Sequence, residues 1–500
     1  MSRTGWSLVV LVLLLGAAAT HAYYRLAWVG PVTQFESAED HFLYGSIGTE
    51  AERGVPYWIW LVLPRIFPDH LPGPGGYASI GITGRDGHEM PIGLSKVDIG
   101  VPRVGANCAL CHTATVRATP TSVPLVYPGA PAHQTGAQEY ARFLADAAAD
   151  PRFTASVILD EIARNVRLSV PDRLLYRFVL IPQTRRALLR RRADGAGGIR
   201  GAEGSVDGAG GAEGDVASVP WGRGRADMAG RTRTGLLGLA PGVPGTADAM
   251  PLWHLGRRDG SGYLWDRSNT SLREVVQASA LVEGTSLRWM DIDARRWDRE
   301  DAGPPSSLRR VLEYLDDLPP PAYPFPVDPM LAASGATTYA ATCARCHEPG
   351  GAQAGTVMPR AEIGTDGRRL DAWTAEAAEA FNAFGEGHAW QASGFRAASA
   401  GYVAPSLDGV WLSAPYLHNG SVPTLRHLLE PPSGRPARFW RGYDVYDQDG
   451  VGFVSDGPDA RRVGRLFDTA QPGNSNGGHA YGTMLSSDEK RALLEYLKTR

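Results

Sequence analysis

The chemistry of this 500-residue chain is concentrated in its four cysteines, all of which belong to two copies of the pattern Cys-x-x-Cys-His. The copies occupy residues 108–112 and 343–347. In this pattern two thiols can add to the vinyl groups of a haem, and the adjacent histidine becomes an axial ligand of its iron. The pattern therefore predicts two covalently bound haem c groups, attached through Cys108, Cys111 and His112, and through Cys343, Cys346 and His347.

Other uses of the cysteines explain less of the pattern. A Cys-x-x-Cys redox pair does not require the histidine that follows. A zinc site built from both motifs would join cysteine pairs that are far apart in the chain, whereas zinc modules usually keep their pairs close. A disulfide between neighbouring cysteines would leave both histidines without a role. Haem attachment is the interpretation that uses every residue of the motif.

The sixth ligands are harder to predict, because distance along a sequence says little about distance in space. For the second haem we favour His479, since Gly477 and Gly478 before it allow the backbone to approach a macrocycle closely. His418 is the alternative. The thioethers of Met358 and Met484 are further candidates, although a methionine is more often a core residue.

The far side of the first haem decides its chemistry. Peroxide reduction needs an acid–base group there, and Glu283 with Gln277 nearby is the candidate catalytic pair. A solvent-facing glutamate at a helix end is the simpler interpretation. An apolar pocket would instead favour dioxygen and a hydrophobic substrate. His88 and Glu89 form a second polar pair, with His88 a weaker candidate ligand.

An aromatic side chain between two haems often assists electron transfer. The candidates are Trp253, Trp265 and Trp289, each of which is equally well explained as a core residue.

The N-terminal segment predicts export. Arg3 is followed by an apolar stretch from Trp6 to Ala19 and by small residues, with Ala22 a plausible cleavage position. We favour a cleaved signal peptide over residues 1–22. The uncharged stretch continues to Tyr24, so an uncleaved membrane anchor remains the alternative. Both interpretations place the protein in the periplasm or outside the cell.

The amino-acid composition limits the possible fold classes and binding partners. The net charge of −3 gives no electrostatic case for binding nucleic acid or an anionic membrane surface. Sixty glycines and 37 prolines indicate extensive irregular loops, and no long segment alternates with a period of two. We therefore expect a mainly α protein with long loops.

One haem domain around each motif is the simplest domain organisation. We place an N-terminal haem domain at 35–318, with a glycine-rich insertion near 194–230, and a C-terminal haem domain at 330–500. A proline-rich linker at 319–329 ends the helix predicted over 307–318. Other predicted helices are 135–146, 153–167 and 375–384. In the C-terminal domain a first helix should carry Gly335 and Tyr339 on one face, and a final helix should begin with the capping box Ser486/Glu489.

Longer segments resemble the dihaem cytochrome c peroxidase superfamily, and within it most closely the rubber-oxygenase-like dihaem c-type cytochromes. These segments are APYLHNGSVPTL at 414–425, PGNSNGGHAYG at 472–482, YGSIGTE at 44–50, GVPYWIW at 54–60, GTADAMPLW at 245–253 and LWD at 264–266. The resemblance covers nearly the whole chain after its N-terminal segment.

The resemblance implies two cytochrome c-like domains whose haems face each other across an interface. One haem would have an open position for peroxide or dioxygen, and the other would be six-coordinate and relay electrons from a small redox protein or another donor. We expect the reactive haem on His112 and the relay haem on His347. A non-enzymatic electron carrier with two six-coordinate haems is the alternative. Some relatives bind calcium, but the loop at 444–450 lacks the full ligand spacing, and we interpret it as a polar turn.

Overall fold

A computed structural model of the chain describes residues 3–26, 35–193, 220–258, 262–299, 305–391 and 393–500. The protein is 43% helical and 11% strand, which confirms the mainly α class. The α-helices are α1 Arg3–Leu26, α2 Ala38–Tyr44, α3 Tyr57–Ile66, α4 Ala137–Ala149, α5 Ala155–Ala163, α6 Val170–Leu175, α7 Ile181–Ala193, α8 Met228–Gly230, α9 Leu272–Glu283, α10 Leu287–Arg296, α11 Ser307–Asp316, α12 Pro329–Thr342, α13 Ala344–His347, α14 Arg360–Ile363, α15 Arg368–Asp371, α16 Ala375–Phe384, α17 Leu425–Leu428, α18 Pro458–Val463 and α19 Ser487–Leu497.

Strands are short and pair locally in one three-stranded sheet and five two-stranded ribbons within the described chain. They are β1 Val55–Pro56, β2 Leu94–Ile99, β3 Val101–Ala106, β4 Thr113–Val116, β5 Leu125–Pro128, β6 Arg225–Ala226, β7 Ala247–Asp248, β8 Val357–Pro359, β9 Gly401–Val403, β10 Arg438–Arg441, β11 Tyr446–Asp447, β12 Gly452–Phe453 and β13 Arg465–Asp468. The three-stranded sheet has the order β1-β3-β2, with Val104 opposite both Val55 and Lys96. These ribbons fix the loops that surround the two cysteine motifs.

The predicted helices are present, with ends that differ by a few residues. Helix α16 has the predicted bounds, whereas α5 begins at Ala155 because the Thr154 hydroxyl accepts a hydrogen bond from Val157 N. Helix α11 begins after Ser306, whose hydroxyl accepts from Arg309 N, and it ends at Asp316 before the prolines. Local capping therefore sets boundaries that hydrophobic periodicity locates only approximately.

The hydrophobic core does not separate cleanly at the proline-rich segment. Ala114 and Val116 of β4, close after the first motif, pack in one cluster with Trp411 and Leu493 of the C-terminal half. Next to β4, the Arg117 backbone N–H donates to the Asp444 carbonyl at 2.8 Å. The two halves of the chain thus share a core.

The predicted linker at 319–329 is packed against the C-terminal half. Trp411 Nε1 donates to the carbonyl of Pro321 at 2.9 Å, and the ring of Phe325 stacks on Tyr446 with 5.7 Å between centroids. These contacts hold the segment in place between α11 and α12.

The predicted glycine-rich insertion divides into two parts. Residues 194–219 lie outside the described residues, but 220–230 form ordered structure. Trp221, Arg223 and Arg225 are buried, and β6 pairs with β7. The composition predicted a flexible glycine-rich insertion here, whereas tertiary hydrogen bonds and ion pairs compensate the burial of these arginines.

The C-terminal half has the predicted pair of helices. Helix α19 begins with the Ser486/Glu489 capping box, and it packs along α12. The contact is closest at Gly335, where a Cβ atom would lie 1.9 Å from the Ala492 carbonyl oxygen. Only glycine fits at this crossing.

Gly335→Ala is therefore expected to destabilise the protein by about 1–3 kcal/mol, because the methyl group forces α12 and α19 apart. This loss exceeds the roughly 1 kcal/mol that alanine contributes to helix propensity. Thermal unfolding followed by circular dichroism measures the effect. Gly235→Ala is the matched control, since nothing lies within 4 Å of a Cβ atom there and the site is exposed. Equal midpoints for the two variants would contradict the expectation.

Helix α1 covers the whole apolar N-terminal segment. In the part of the chain that the structure describes, no helix combines the length and the apolarity needed to cross a membrane.

Candidate haem sites

The second cysteine motif begins directly after α12 with Cys343 and continues as α13. Helix α12 begins at Pro329 after Asp328, whose side chain accepts from two backbone N–H groups, and it delivers Cys343 as its C-terminal cap. Helix α13 then carries His347, whose Nδ1 donates to the Pro405 carbonyl at 2.8 Å. That hydrogen bond orients the ring and leaves Nε2 as the nitrogen available to a metal.

A cavity of about 480 Å³ opens next to this motif. Its size lies within the usual range for cofactor pockets. Most of its wall is apolar, and its polar residues include His347, His418 and His479. The apolar lining includes Val410, Leu417, Leu425, Leu428, Leu493 and Leu497. An apolar slot with histidines in its wall matches the chemistry of a haem.

His479 faces His347 across this cavity. Their ring centroids are 6.2 Å apart. Two metal–nitrogen bonds of about 2 Å, plus the distances from nitrogen to ring centre, require a separation of about 6 Å. Burial, together with the nearby His347, lowers the pKa of His479 to about 4, so His479 is held in the neutral form that a metal ligand needs.

The other sixth-ligand candidates occupy different positions. His418 lines the same cavity, but its ring stacks on Tyr402 with 3.9 Å between centroids. Burial lowers its pKa to about 3. Met358 is buried and also lines the cavity, whereas Met484 is 93% exposed. The geometry thus favours His479 over His418 and removes Met484 from the cavity.

The first motif is built on a different local structure. Asn107 caps a short 3-10 turn at Cys108–Leu110 by accepting from Ala109 N. His112 follows, and its Nδ1 donates to the Met250 carbonyl at 3.1 Å. Burial lowers the pKa of His112 to about 4. His112 is therefore oriented in the same way as His347, by a hydrogen bond from Nδ1 to a backbone carbonyl. This leaves Nε2 available to a metal.

This motif lines a second cavity, of about 230 Å³. One face of α9, with Leu272, Val275 and Val276, forms part of its wall. Val311 and Leu315 of α11 add to the apolar wall. Among the described residues that line this cavity, His112 is the only histidine. The two cavities thus differ in the feature that controls iron chemistry, the presence of a second imidazole.

Helix α9 brings only one of the two candidate catalytic residues to this cavity. Glu283 lines the cavity, as its spacing from Leu272, Val276 and Ser279 predicts for one helix face. Gln277 is buried but is not among the lining residues described. The Glu283 carboxylate lies 3.3 Å from Arg231 Nη1. The structure brings Glu283, but not Gln277, to the cavity.

No disulfide joins the four cysteines, and they do not form a shared metal site. Among the described residues, only Asp69, His70 and Asp150 form a group of three or more potential metal ligands within 4.8 Å of one another, so a zinc site that joins both motifs is excluded. Burial raises the pKa of Cys108 and Cys111 to about 12 and that of Cys343 to about 11. Thiols with such pKa values are not activated for disulfide exchange.

A shared wall separates the two cavities. Residues 248–251 and Trp265 line both. Trp265 Nε1 donates to the Asp248 carbonyl at 2.9 Å, which fixes the indole in the wall. Of the three tryptophan candidates, Trp265 alone lines either cavity in the described chain. Trp253 instead donates to the Asp408 carbonyl, and Trp289 packs against Gly48.

Buried and half-buried arginines surround this wall, and they were not among the residues predicted from the sequence. Arg441 makes two hydrogen bonds to Asp248, at 3.0 and 2.9 Å, while Arg369 lies 2.8 Å from Asp266. Arg225 is 3% exposed and lies 3.8 Å from Asp248. Guanidinium groups of this kind are donors that suit the propionates of a haem. For Arg225 the missing signal was its burial within β6, which only the tertiary structure shows.

The remaining polar candidates lie away from both cavities. His88 stacks on Tyr44 with 4.2 Å between centroids, and Glu89 pairs with Lys96. In the 444–450 loop, Asp444 binds Arg117, and Asp447 accepts from Gly450 N at 2.9 Å. These internal contacts use the carboxylates of the loop, as in a polar turn.

Comparisons with known proteins agree with the haem chemistry of the C-terminal half. The family described as RoxA-like, cytochrome c-like matches residues 401–441. The family described as cytochrome c oxidase, cbb3-type, subunit III matches residues 331–398, which contain the second motif. These matches support a c-type cytochrome whose C-terminal half is RoxA-like, and cytochrome c domains imply covalently bound haem c.

Two proteins of Sinorhizobium fredii (strain NBRC 101917 / NGR234) are similar to parts of the chain. Uncharacterized protein y4iM is 35% identical over 243 residues, covering 38% of this chain and 53% of that protein. Uncharacterized protein y4iJ is 48% identical over 107 residues, covering 20% of this chain and 17% of that protein. The chain thus spans about half of the first relative and a smaller part of the second.

Proposed function

We propose that this protein is an exported dihaem oxidoreductase in which the haem on His112 reacts with dioxygen and the haem on His347 relays electrons. One observation carries the proposal: His347 has a second imidazole, that of His479, across its cavity, whereas the described lining of the His112 cavity contains no second histidine. A six-coordinate iron transfers electrons, and an open position binds an oxygen species.

The lining of the first cavity favours dioxygen over peroxide. Heterolysis of peroxide needs a group that moves a proton between its oxygens. Glu283 is the only glutamate among the described lining residues, and its carboxylate is engaged by Arg231 Nη1 at 3.3 Å rather than free in the cavity. The aliphatic residues of α9 and α11 exclude water and would accept an unsaturated hydrophobe. When bound, the haem would supply the iron at which dioxygen is activated.

The shared wall supports communication between the two sites. Trp265 borders both cavities, and its hydrogen bond to the Asp248 carbonyl holds it between them. The buried Arg225 and the half-buried Arg369 line the first cavity and would bind propionates there. This arrangement suits electron exchange between the two haems, with a small redox protein as the external partner.

One observation favours the second candidate function, a pure electron carrier. Met228 lines the same cavity as His112, and a thioether is a common axial ligand in cytochromes. Ligation by Met228 would make both haems six-coordinate and would close the site to dioxygen.

Binding of carbon monoxide to the reduced holoprotein distinguishes the two functions. We expect one equivalent to bind per chain, with a spectral change at one of two haems. No binding would support the electron carrier. Oxygen uptake with an unsaturated hydrocarbon should then exceed the peroxide-dependent oxidation of a reduced small cytochrome. The reverse ranking would replace the oxygenase by a peroxidase.

A further inference from the structure

Arg435 makes an unusual set of contacts behind the His479 loop. Its side chain is 5% exposed, and each of its five N–H donors meets a backbone carbonyl. The acceptors are Glu430 at 3.1 Å from Nε, Asn476 and Gly478 at 2.6 and 2.8 Å from Nη1, and Leu428 and His479 at 3.2 and 3.0 Å from Nη2. A guanidinium has five N–H donors, so none is left unused.

These carbonyls belong to two separate segments. Leu428 ends α17, and Glu430 follows it closely. Asn476, Gly478 and His479 belong to the loop that carries the candidate axial ligand. The planar fork of Arg435 therefore ties the 476–479 loop to the end of α17.

The loop has a backbone conformation that needs such support. His479 has φ of 44°, a left-handed value that is rare for residues other than glycine. Its N–H donates to the Ile363 carbonyl at 2.7 Å, and a Cβ atom at Gly478 would lie 2.3 Å from the carbonyl carbon of Gly364. Unfavourable conformations of this kind persist where the surroundings determine them.

The charge of Arg435 has no obvious structural partner. In the described chain no carboxylate pairs with it, and carbonyl dipoles alone compensate the buried cation. A cation used only for stability would be expected at a carboxylate or at the surface. Here its donors converge on the backbone of one loop.

We propose that Arg435 is a positioning residue that holds His479 in place as the axial ligand opposite His347. The inference rests on the proposed function, because it requires a haem between these two histidines.

The test compares ferric holoprotein variants by absorption and electron paramagnetic resonance spectroscopy. Arg435→Met should convert a large fraction of one haem from low spin to high spin, and added imidazole should bind that haem about tenfold more tightly than in the wild type. Arg435→Lys keeps the charge but has only three donors, so the change should have the same direction. Arg191→Met is the matched control, because Arg191 donates to the carbonyls of Glu52 and Arg53, away from the loop.

The outcomes separate this inference from the proposed function. His479→Ala should give the same high-spin signal; if it leaves the spectrum unchanged, the assignment of His479 as ligand is wrong. If His479→Ala changes the spectrum while both Arg435 variants resemble the wild type, the positioning role alone is overturned. If Arg435→Lys has the wild-type spectrum while Arg435→Met does not, the positioning role is also overturned. A positive charge alone would then be enough to keep the haem in its low-spin state. An equal change in Arg191→Met would show general destabilisation and would likewise overturn it.

Discussion

Replacing Cys108 and Cys111 together by alanine is expected to remove one covalently bound haem from each chain and to abolish oxygen consumption. The thioether bonds depend on these two thiols, and His112 alone would not retain the group during denaturation. The haem content is measured by the pyridine haemochrome spectrum and by the mass of the denatured polypeptide. The wild type should carry two haems, and this double variant one.

Cys343→Ala combined with Cys346→Ala is the reciprocal variant and should also carry one haem. It should lose the low-spin signal, whereas the first double variant should keep it. If the wild type carries one haem, or if the Cys108/Cys111 variant keeps the wild-type content, the dihaem proposal is wrong. Retention of haem by the second pair alone would leave a monohaem cytochrome, in agreement with the family match at 331–398.

Replacing His479 by alanine is expected to leave the relay haem five-coordinate and to slow electron transfer between the haems by at least about tenfold. A haem with an open position can gain or lose a ligand when its iron is oxidised or reduced. Two imidazole ligands keep the coordination number constant and so avoid this reorganisation. The spin state follows from the ferric absorption spectrum, and the electron transfer rate from stopped-flow reduction. Added imidazole should restore the low-spin spectrum.

His418→Ala is the informative comparison, because His418 lines the same cavity but stacks on Tyr402. Its removal should preserve the low-spin spectrum. If the His418 variant is high spin and the His479 variant stays low spin, His418 is the axial ligand and His479 is not.

Chemistry that depends on adjacent residues could be predicted from the sequence. The two Cys-x-x-Cys-His motifs, the shared helix face of Gly335 and Tyr339, and the capping box of α19 each depend on residues within one or two helical turns. The same local logic placed α16 correctly. It placed the ends of α5 and α11 less well, because single capping hydrogen bonds set them.

What depends on distant parts of the chain was decided by tertiary structure. His347 and His479 face each other because Ile363, Gly364 and Arg435 hold a loop far from the motif in sequence. Arg225 of the shared wall comes from a segment that was predicted to be a glycine-rich insertion. Gln277 turned away from the cavity because a helix presents only every third or fourth residue to one side. Covalent attachment is local and is therefore written in the sequence, whereas axial ligation and pocket polarity arise from packing between remote segments, which only the fold determines.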